Sequence, residues 1–259
     1  ALVTAPAFAE YEEALNQAGT GIDFFPLGKT LEITEAYVDS LSAEHDMVFL
    51  CNPNNPTGIL TPRSVVKKLL DKAKALDVRV CLDECFLDFI KNEEGYSAAG
   101  WLAEYPNLII LKSFTKMYAI PGLRLGYVLS ADADLLNRMR LAGQPWSVSE
   151  PAQAAGIAAL RAEGFREQTI DLVDRERAFL KKKLEELGLC VCEGHANYLC
   201  FQAAGDEKLA DRMQAEGILI RRCANYHGLG ADFYRTAVRG HAENAKLLEA
   251  LEKVLQKGT

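Results

Sequence analysis

Four short apolar runs recur along the first half of the chain, at residues 47–51, 78–82, 107–111 and 125–129. Each has the length of one strand and lacks the apolar–polar alternation of a half-exposed one, so each reads as buried on both faces. Between the first two lies a stretch, 62–76, whose Val65, Val66, Leu69, Leu70 and Ala73 fall on one helical face. Pro62 at its first turn and Thr61 as N-cap mark where it starts. Buried strands alternating with amphipathic helices specify an α/β fold, a mostly parallel sheet covered by helices on both faces. Sites in such sheets gather at the carboxyl ends of the strands.

Polar motifs stand at those ends. Asn52-Pro53-Asn54-Asn55-Pro56-Thr57-Gly58 follows the first run, and Asp83-Glu84-Cys85-Phe86 follows the second. Ser113-Phe114-Thr115-Lys116 follows the third, with Arg124 ahead of the fourth. A lysine at the mouth of a buried strand is raw material for a Schiff base, since it is nucleophilic when neutral and burial near other cations favours that form. Ser113 and Arg124 suit a dianionic phosphate beside it. Taken alone, Ser-x-x-Lys also reads as a solvated loop, or as a β-lactamase motif, but no Ser-Asp-Asn or Lys-Thr-Gly accompanies it.

Taken together, the Asn-Pro…Gly turn, the aspartate, Ser-x-x-Lys and the arginine resemble the aspartate aminotransferase superfamily, the fold-type I enzymes that use pyridoxal phosphate (PLP). The resemblance runs the whole length of the chain. It implies that Lys116 carries the cofactor covalently and that Asp83 keeps its pyridine nitrogen protonated. It further implies that Asn55 donates to the ring's phenolic oxygen and that Ser113 and Arg124 hold part of the phosphate. Phe8, in Pro6-Ala7-Phe8, matches the aromatic residue that stacks on the pyridine ring. Many relatives place a tyrosine three residues after the aspartate; here that position is Phe86, which cannot donate a hydrogen bond. For the substrate, Arg235 takes the carboxylate-binding place. Arg239, four residues on, is expected on the same strand face. Asn197, before Tyr198, matches a substrate-facing asparagine, whereas Arg221 and Arg222 read as solvated.

Within the superfamily the chain is most similar to the histidinol-phosphate aminotransferase group, and most of all to its sister group, the threonine-phosphate decarboxylases of cobalamin biosynthesis. The stretches Thr115–Arg124, Pro145–Val148 and Asp83–Phe89 carry that likeness. Either reading implies a small anionic amino-acid phosphate as substrate and a homodimer. A PLP-responsive module of a transcription regulator is a third reading. In the family a Gly-rich turn, an N-terminal arm and a tyrosine lent to the neighbouring subunit precede this point. No Gly-x-Gly-x-x-Gly occurs here. Roughly the first quarter of a family-length protein is therefore expected to lie outside this sequence, leaving the large domain incomplete.

The expected organisation is a PLP-binding large domain at 1–145, connecting helices at 146–187 and a smaller C-terminal α+β domain at 188–259. Within the last, 189–192, 198–202, 218–221 and 234–238 read as short strands and 206–216 and 241–256 as helices. The net charge of −7, without a basic cluster, speaks against nucleic acid or an anionic membrane as partner. It also means that an anionic substrate must be captured by locally placed arginines. No apolar run is long enough to span a bilayer. Seven cysteines without a Cys-x-x-Cys pair and four scattered histidines indicate neither a metal site nor a disulfide framework, and point to a reducing cytoplasm.

Overall fold

The computed structural model describes residues 1–256. In chain order the first half runs β1 (Leu2–Ala5), α1 (Ala9–Gln17), β2 (Asp23–Pro26), α2 (Glu35–Ser40), β3 (Met47–Cys51), α3 (Arg63–Ala75), β4 (Arg79–Asp83), β5 (Leu108–Ser113), α4 (Phe114–Met117) and β6 (Gly126–Leu129). Then come α5 (Ala133–Ala142), α6 (Glu150–Leu160) and α7 (Phe165–Glu186). The second half holds β7 (Cys190–Val191), β8 (Tyr198–Gln202), α8 (Leu209–Ala215), β9 (Arg221–Arg222), β10 (Phe233–Ala237) and α9 (His241–Gln256).

The first sheet has six strands in the order β2-β1-β3-β4-β5-β6. All its pairs are parallel except β5 with β6. Leu50, Leu82, Leu108 and Ile110 are fully buried and pack with Val66, Leu69 and Leu70 of α3, as the helical face anticipated. Strands β1 and β3 meet only at Leu2↔Val48. The buried phenol of Tyr37, on α2, bridges that weak seam by donating to the carbonyls of Leu2 (3.2 Å) and Phe49 (2.6 Å). The expected cap of α3 is corrected. Pro62 occupies the N-cap position, and Thr61 instead donates its backbone N–H to Asn52 Oδ1 at 2.8 Å. A side chain of the Asn-Pro turn thus pins the chain just before the helix.

The second sheet is antiparallel in the order β7-β8-β10-β9. Leu199, Phe201 and Tyr234 face a core made with Leu180 and Leu184 of α7, Met213 of α8 and Leu251 of α9. The alternation of a strand then turns Tyr198, Cys200 and Arg235 to the opposite face. That face meets the first half of the chain: Tyr198 OH donates to Asn54 O (2.9 Å), and His195 N–H to Gly58 O (2.7 Å). Gly228, at φ 82°, lies so close to Ala5 that a Cβ would stand 3.0 Å from its carbonyl oxygen. Only glycine fits there without strain.

A charge cluster around the buried Lys112 backs the end of β5. Lys112 Nζ lies 2.6 Å from Asp88 and 2.7 Å from Glu93, whose other oxygen meets Arg166 at 2.7 Å. Burial alone would depress the Lys112 ammonium, but the two carboxylates hold it above its ordinary value. Lys112→Ala would leave Asp88 without its partner and Glu93 with Arg166 alone, and is expected to cost about 1–3 kcal/mol of folding stability. Urea denaturation would measure the loss. A midpoint equal to wild type would show that solvent already satisfies the acids.

Candidate active site

A cleft of about 260 Å³ opens where β3, β4 and β5 end, and Phe8, Asn55, Asp83, Ser113, Lys116 and Arg124 all line it. Residues from five separate stretches of sequence therefore converge, because parallel strands present their carboxyl ends on one edge of the sheet.

Asp83 closes β4 at the cleft floor and is 8% exposed. Its Oδ2 accepts from Tyr11 OH at 2.5 Å and its Oδ1 from Cys85 N–H at 2.9 Å. Burial, with Cys51 and Asp83 close by, holds the Tyr11 phenol well above its ordinary pKa. Tyr11 therefore stays protonated and serves as donor. Its ring stacks on Phe49 (5.1 Å between centroids) and meets Phe8 edge-on (5.6 Å). Sequence reasoning missed Tyr11. Its only local signal was the three-residue spacing from Phe8, which places both at the same end of α1.

Asn55 is 5% exposed, and its Oδ1 accepts from Arg235 Nη1 (2.5 Å) and Tyr226 OH (3.3 Å). With the oxygen engaged by two donors, the amide is turned so that its NH₂ remains to donate into the cleft. The Arg235 guanidinium lies 4.8 Å from the centroid of Tyr198, a cation–π contact. Tyr198 in turn stands edge-on to Phe86 at 5.0 Å. Lys116 Nζ sits 5.4 Å from the centroid of the Phe86 ring. Phe86 thus offers a ring face and edge where a tyrosine would offer a hydroxyl.

At the other end Ser113 closes β5 and caps α4. Its Oγ accepts from Thr115 N–H (3.2 Å) and shares a 2.7 Å hydrogen bond with the Thr115 hydroxyl, which also lines the cleft. Thr115 is a second group that sequence reasoning passed over. Arg124 adopts the left-handed conformation (φ 54°, ψ 49°) and donates from Nη1 to Pro121 O at 3.0 Å. Non-glycine residues seldom adopt that region. A Cβ at Gly126 would lie 2.9 Å from Lys112 O, so only glycine lets the chain pass this wall of the cleft. Lys116 itself stands exposed in the chain. The burial assumed for it from sequence is therefore not what positions it; the short helix α4 does.

Two sequence expectations change. Strand β10 ends at Ala237, so its alternation does not extend to Arg239. That guanidinium is 65% exposed and pairs with Glu243 at 3.0 Å, lining a groove with Leu219 and Leu247 away from the cleft. The structure does not bring Arg239 to Arg235. Instead Arg221 is the cross-strand neighbour of Arg235 in the β9–β10 register. It is exposed and donates to Asn225 Oδ1 at 3.3 Å, whereas Arg222 turns to Asp211. Asn197 lies just before β8, where its carbonyl accepts from Val238 N–H at 2.9 Å and its buried Oδ1 has no hydrogen-bond partner. It is not part of the cleft wall. Among the described residues no cluster has the makings of a metal site, and no helix is long and apolar enough to cross a membrane.

The model of the family described as aminotransferase class I and II matches residues 1–254. The threonine-phosphate decarboxylase of Salmonella typhimurium is 40% identical over 259 residues, which cover 98% of this chain and 71% of that protein. The histidinol-phosphate aminotransferase of Methylobacillus flagellatus is 33% identical over 258 residues, covering 98% and 67%. Among solved structures, the histidinol-phosphate aminotransferase from Clostridium acetobutylicum superposes with a TM-score of 0.94 at 29% identity, covering 99% of this chain and 78% of that one.

Proposed function

The chain belongs to the class I and II aminotransferase family, the PLP-dependent enzymes of fold type I, and on that premise we propose that it decarboxylates L-threonine-O-3-phosphate. The observation that carries this reading is the pair of arginines set side by side on one face of the second sheet, Arg235↔Arg221, the first of which reaches Asn55 of the cleft. A substrate bearing both a carboxylate and a phosphate needs two such anion sites in an acidic protein. The greater identity to a decarboxylase than to an aminotransferase supports the choice of reaction.

The cleft fits PLP. It offers an aromatic wall at Phe8, a carboxylate at Asp83, an amide donor at Asn55, and hydroxyl and guanidinium groups at Ser113, Thr115 and Arg124 for a phosphate. When bound, PLP supplies an electron sink for the charge left on the substrate's Cα. Asp83 would face the pyridine nitrogen, kept in place by Tyr11 and the Cys85 N–H. Asn55, its amide turned by Arg235 and Tyr226, would donate to the ring oxygen. Lys116 would attach the cofactor and, once freed by the substrate, hold or move a proton at Cα. Arg235 would grip the carboxylate bidentately and set which bond to Cα is weakened. In this reading residues 1–145 would hold the cofactor, and 188–259, joined through the helices of 146–187, would bring the substrate's anchors.

Product analysis with threonine phosphate tests the reaction. Carbon dioxide and aminopropanol phosphate are expected; a keto acid formed only with an amino acceptor would make the chain an aminotransferase instead. Arg235→Lys should lower kcat/KM on threonine phosphate by about 10- to 100-fold, the loss of one charge-assisted interaction of roughly 1.5–3 kcal/mol. Arg221→Ala should slow threonine phosphate while leaving unphosphorylated threonine almost untouched. Equal slowing of both substrates would remove Arg221 from the phosphate.

The enzyme is further proposed to act as a homodimer. Helix α6 is apolar nearly all round, yet its Ile157 and Leu160 are 53% and 68% exposed, and nearby Trp146 is 95% exposed. Helices of that kind are normally covered. Sedimentation should find a dimer that Leu160→Glu weakens; a wild-type monomer would defeat the proposal.

A further inference from the structure

Thiols cross the second sheet on the same face as Arg235. Cys200 is the direct cross-strand partner of Arg235. On the other side of β8, the pairs Cys190↔Gln202 and Val191↔Phe201 continue the register to Cys192 opposite Cys200. The Cys192 N–H donates to Cys200 O at 2.9 Å, which holds that alignment. Residues directly opposed in antiparallel strands have Cα atoms about 4.5–5.5 Å apart. Disulfides form at roughly 4.4–6.8 Å.

We propose that Cys192 and Cys200 are a redox pair that a hydroperoxide converts to a disulfide. The Cys192 thiolate attacks the peroxide's outer oxygen, giving a sulfenic acid and releasing an alcohol, or water from hydrogen peroxide. The Cys200 thiol then attacks the sulfenic sulfur, forming the S–S bond and releasing water. The two protein electrons lost match the two gained by the peroxide.

The environments suit these roles. Cys192 is only half-buried, whereas Cys200 is sealed from solvent. The adjacent Cys200 thiol holds the Cys192 thiol below its ordinary pKa, while the neighbouring Cys192 and Cys223 thiols, together with burial, hold Cys200 far above it. A less buried, more acidic thiol beside a buried resolving one suits a peroxide-sensing pair. Cys190 is exposed but faces Gln202. Cys51 and Cys85 line the cleft, yet burial pushes both thiols up, so neither is a ready thiolate. The bond would close beside the strand of Arg235. It would also sit at the root of the loop that docks on the Asn-Pro turn, through His195 N–H to Gly58 O.

The modification does not depend on which reaction the enzyme performs. The PLP-loaded protein is treated with hydrogen peroxide, denatured, and its free thiols counted and mapped without reduction. Two of the seven thiols should disappear, the map should link Cys192 to Cys200, and dithiothreitol should restore both. Cys192→Ser, a change at the sheet's edge, should lose none of its remaining thiols under the same dose. In Cys200→Ser the Cys192 sulfenic acid should persist and be captured by dimedone. A sulfinic acid on wild-type Cys192 without a link, a Cys200–Cys223 bond, or reaction confined to Cys190 would overturn the proposal.

Discussion

Lys116→Ala is expected to leave PLP bound but no longer fixed to the protein by borohydride, and to lower kcat by roughly 10²–10⁴-fold, the usual contribution of one positioned proton-transfer group. The expectation follows from position. Lys116 is the one lysine lining the cleft among the described residues, held on α4 between the Ser113 cap and the Phe86 ring. Lys112 lies four residues away but faces the opposite side of β5, where Asp88 and Glu93 engage it. Borohydride reduction followed by peptide mapping distinguishes them. Label on Lys112, or a Lys116→Ala enzyme with wild-type turnover, would refute the assignment.

Asp83→Ala should weaken PLP binding and reduce turnover far more. A carboxylate aimed at the pyridine nitrogen is a preorganised electrostatic group, and losing one costs about 3–4 kcal/mol, or about 10²–10³ in kcat. Tyr11 and the Cys85 N–H keep both oxygens in place, so no reorganisation is needed when charge develops. Comparing kcat with the PLP dissociation constant separates chemistry from affinity. Unchanged turnover would reduce Asp83 to a structural end-cap of β4.

The neighbouring acids show how far residue type alone leads. Asp83 and Glu84 are adjacent in sequence and equally acidic. Asp83 closes β4 facing the cleft, whereas Glu84, just past the strand, is 1% exposed elsewhere and accepts from Ala98 N–H and Ser97 OH, each at 2.8 Å. Position after a buried run placed both acids at the strand's carboxyl end, and the motif resemblance, not residue type, singled out Asp83.

Phe8, Asn55, Asp83, Ser113, Lys116 and Arg124 were legible through motifs shared with the aminotransferase superfamily, and most of those motifs stand at the ends of the apolar runs. The runs of apolar residues determined the strands, the strands determined a parallel sheet, and the sheet determined which loop residues share a cleft. Local sequence could not determine pairings between distant segments. Tyr11 reaches Asp83 across 72 positions and Arg235 reaches Asn55 across 180. The antiparallel register of the second sheet, not any motif, put Arg221 beside Arg235 and Cys192 opposite Cys200. The end of β10 at Ala237 removed Arg239 from that company. Side-chain period and chain direction are properties of a few consecutive residues and can be read from them. Register, strand termination and the facing of two sheets depend on the packing of the whole chain, and only the tertiary structure decided them.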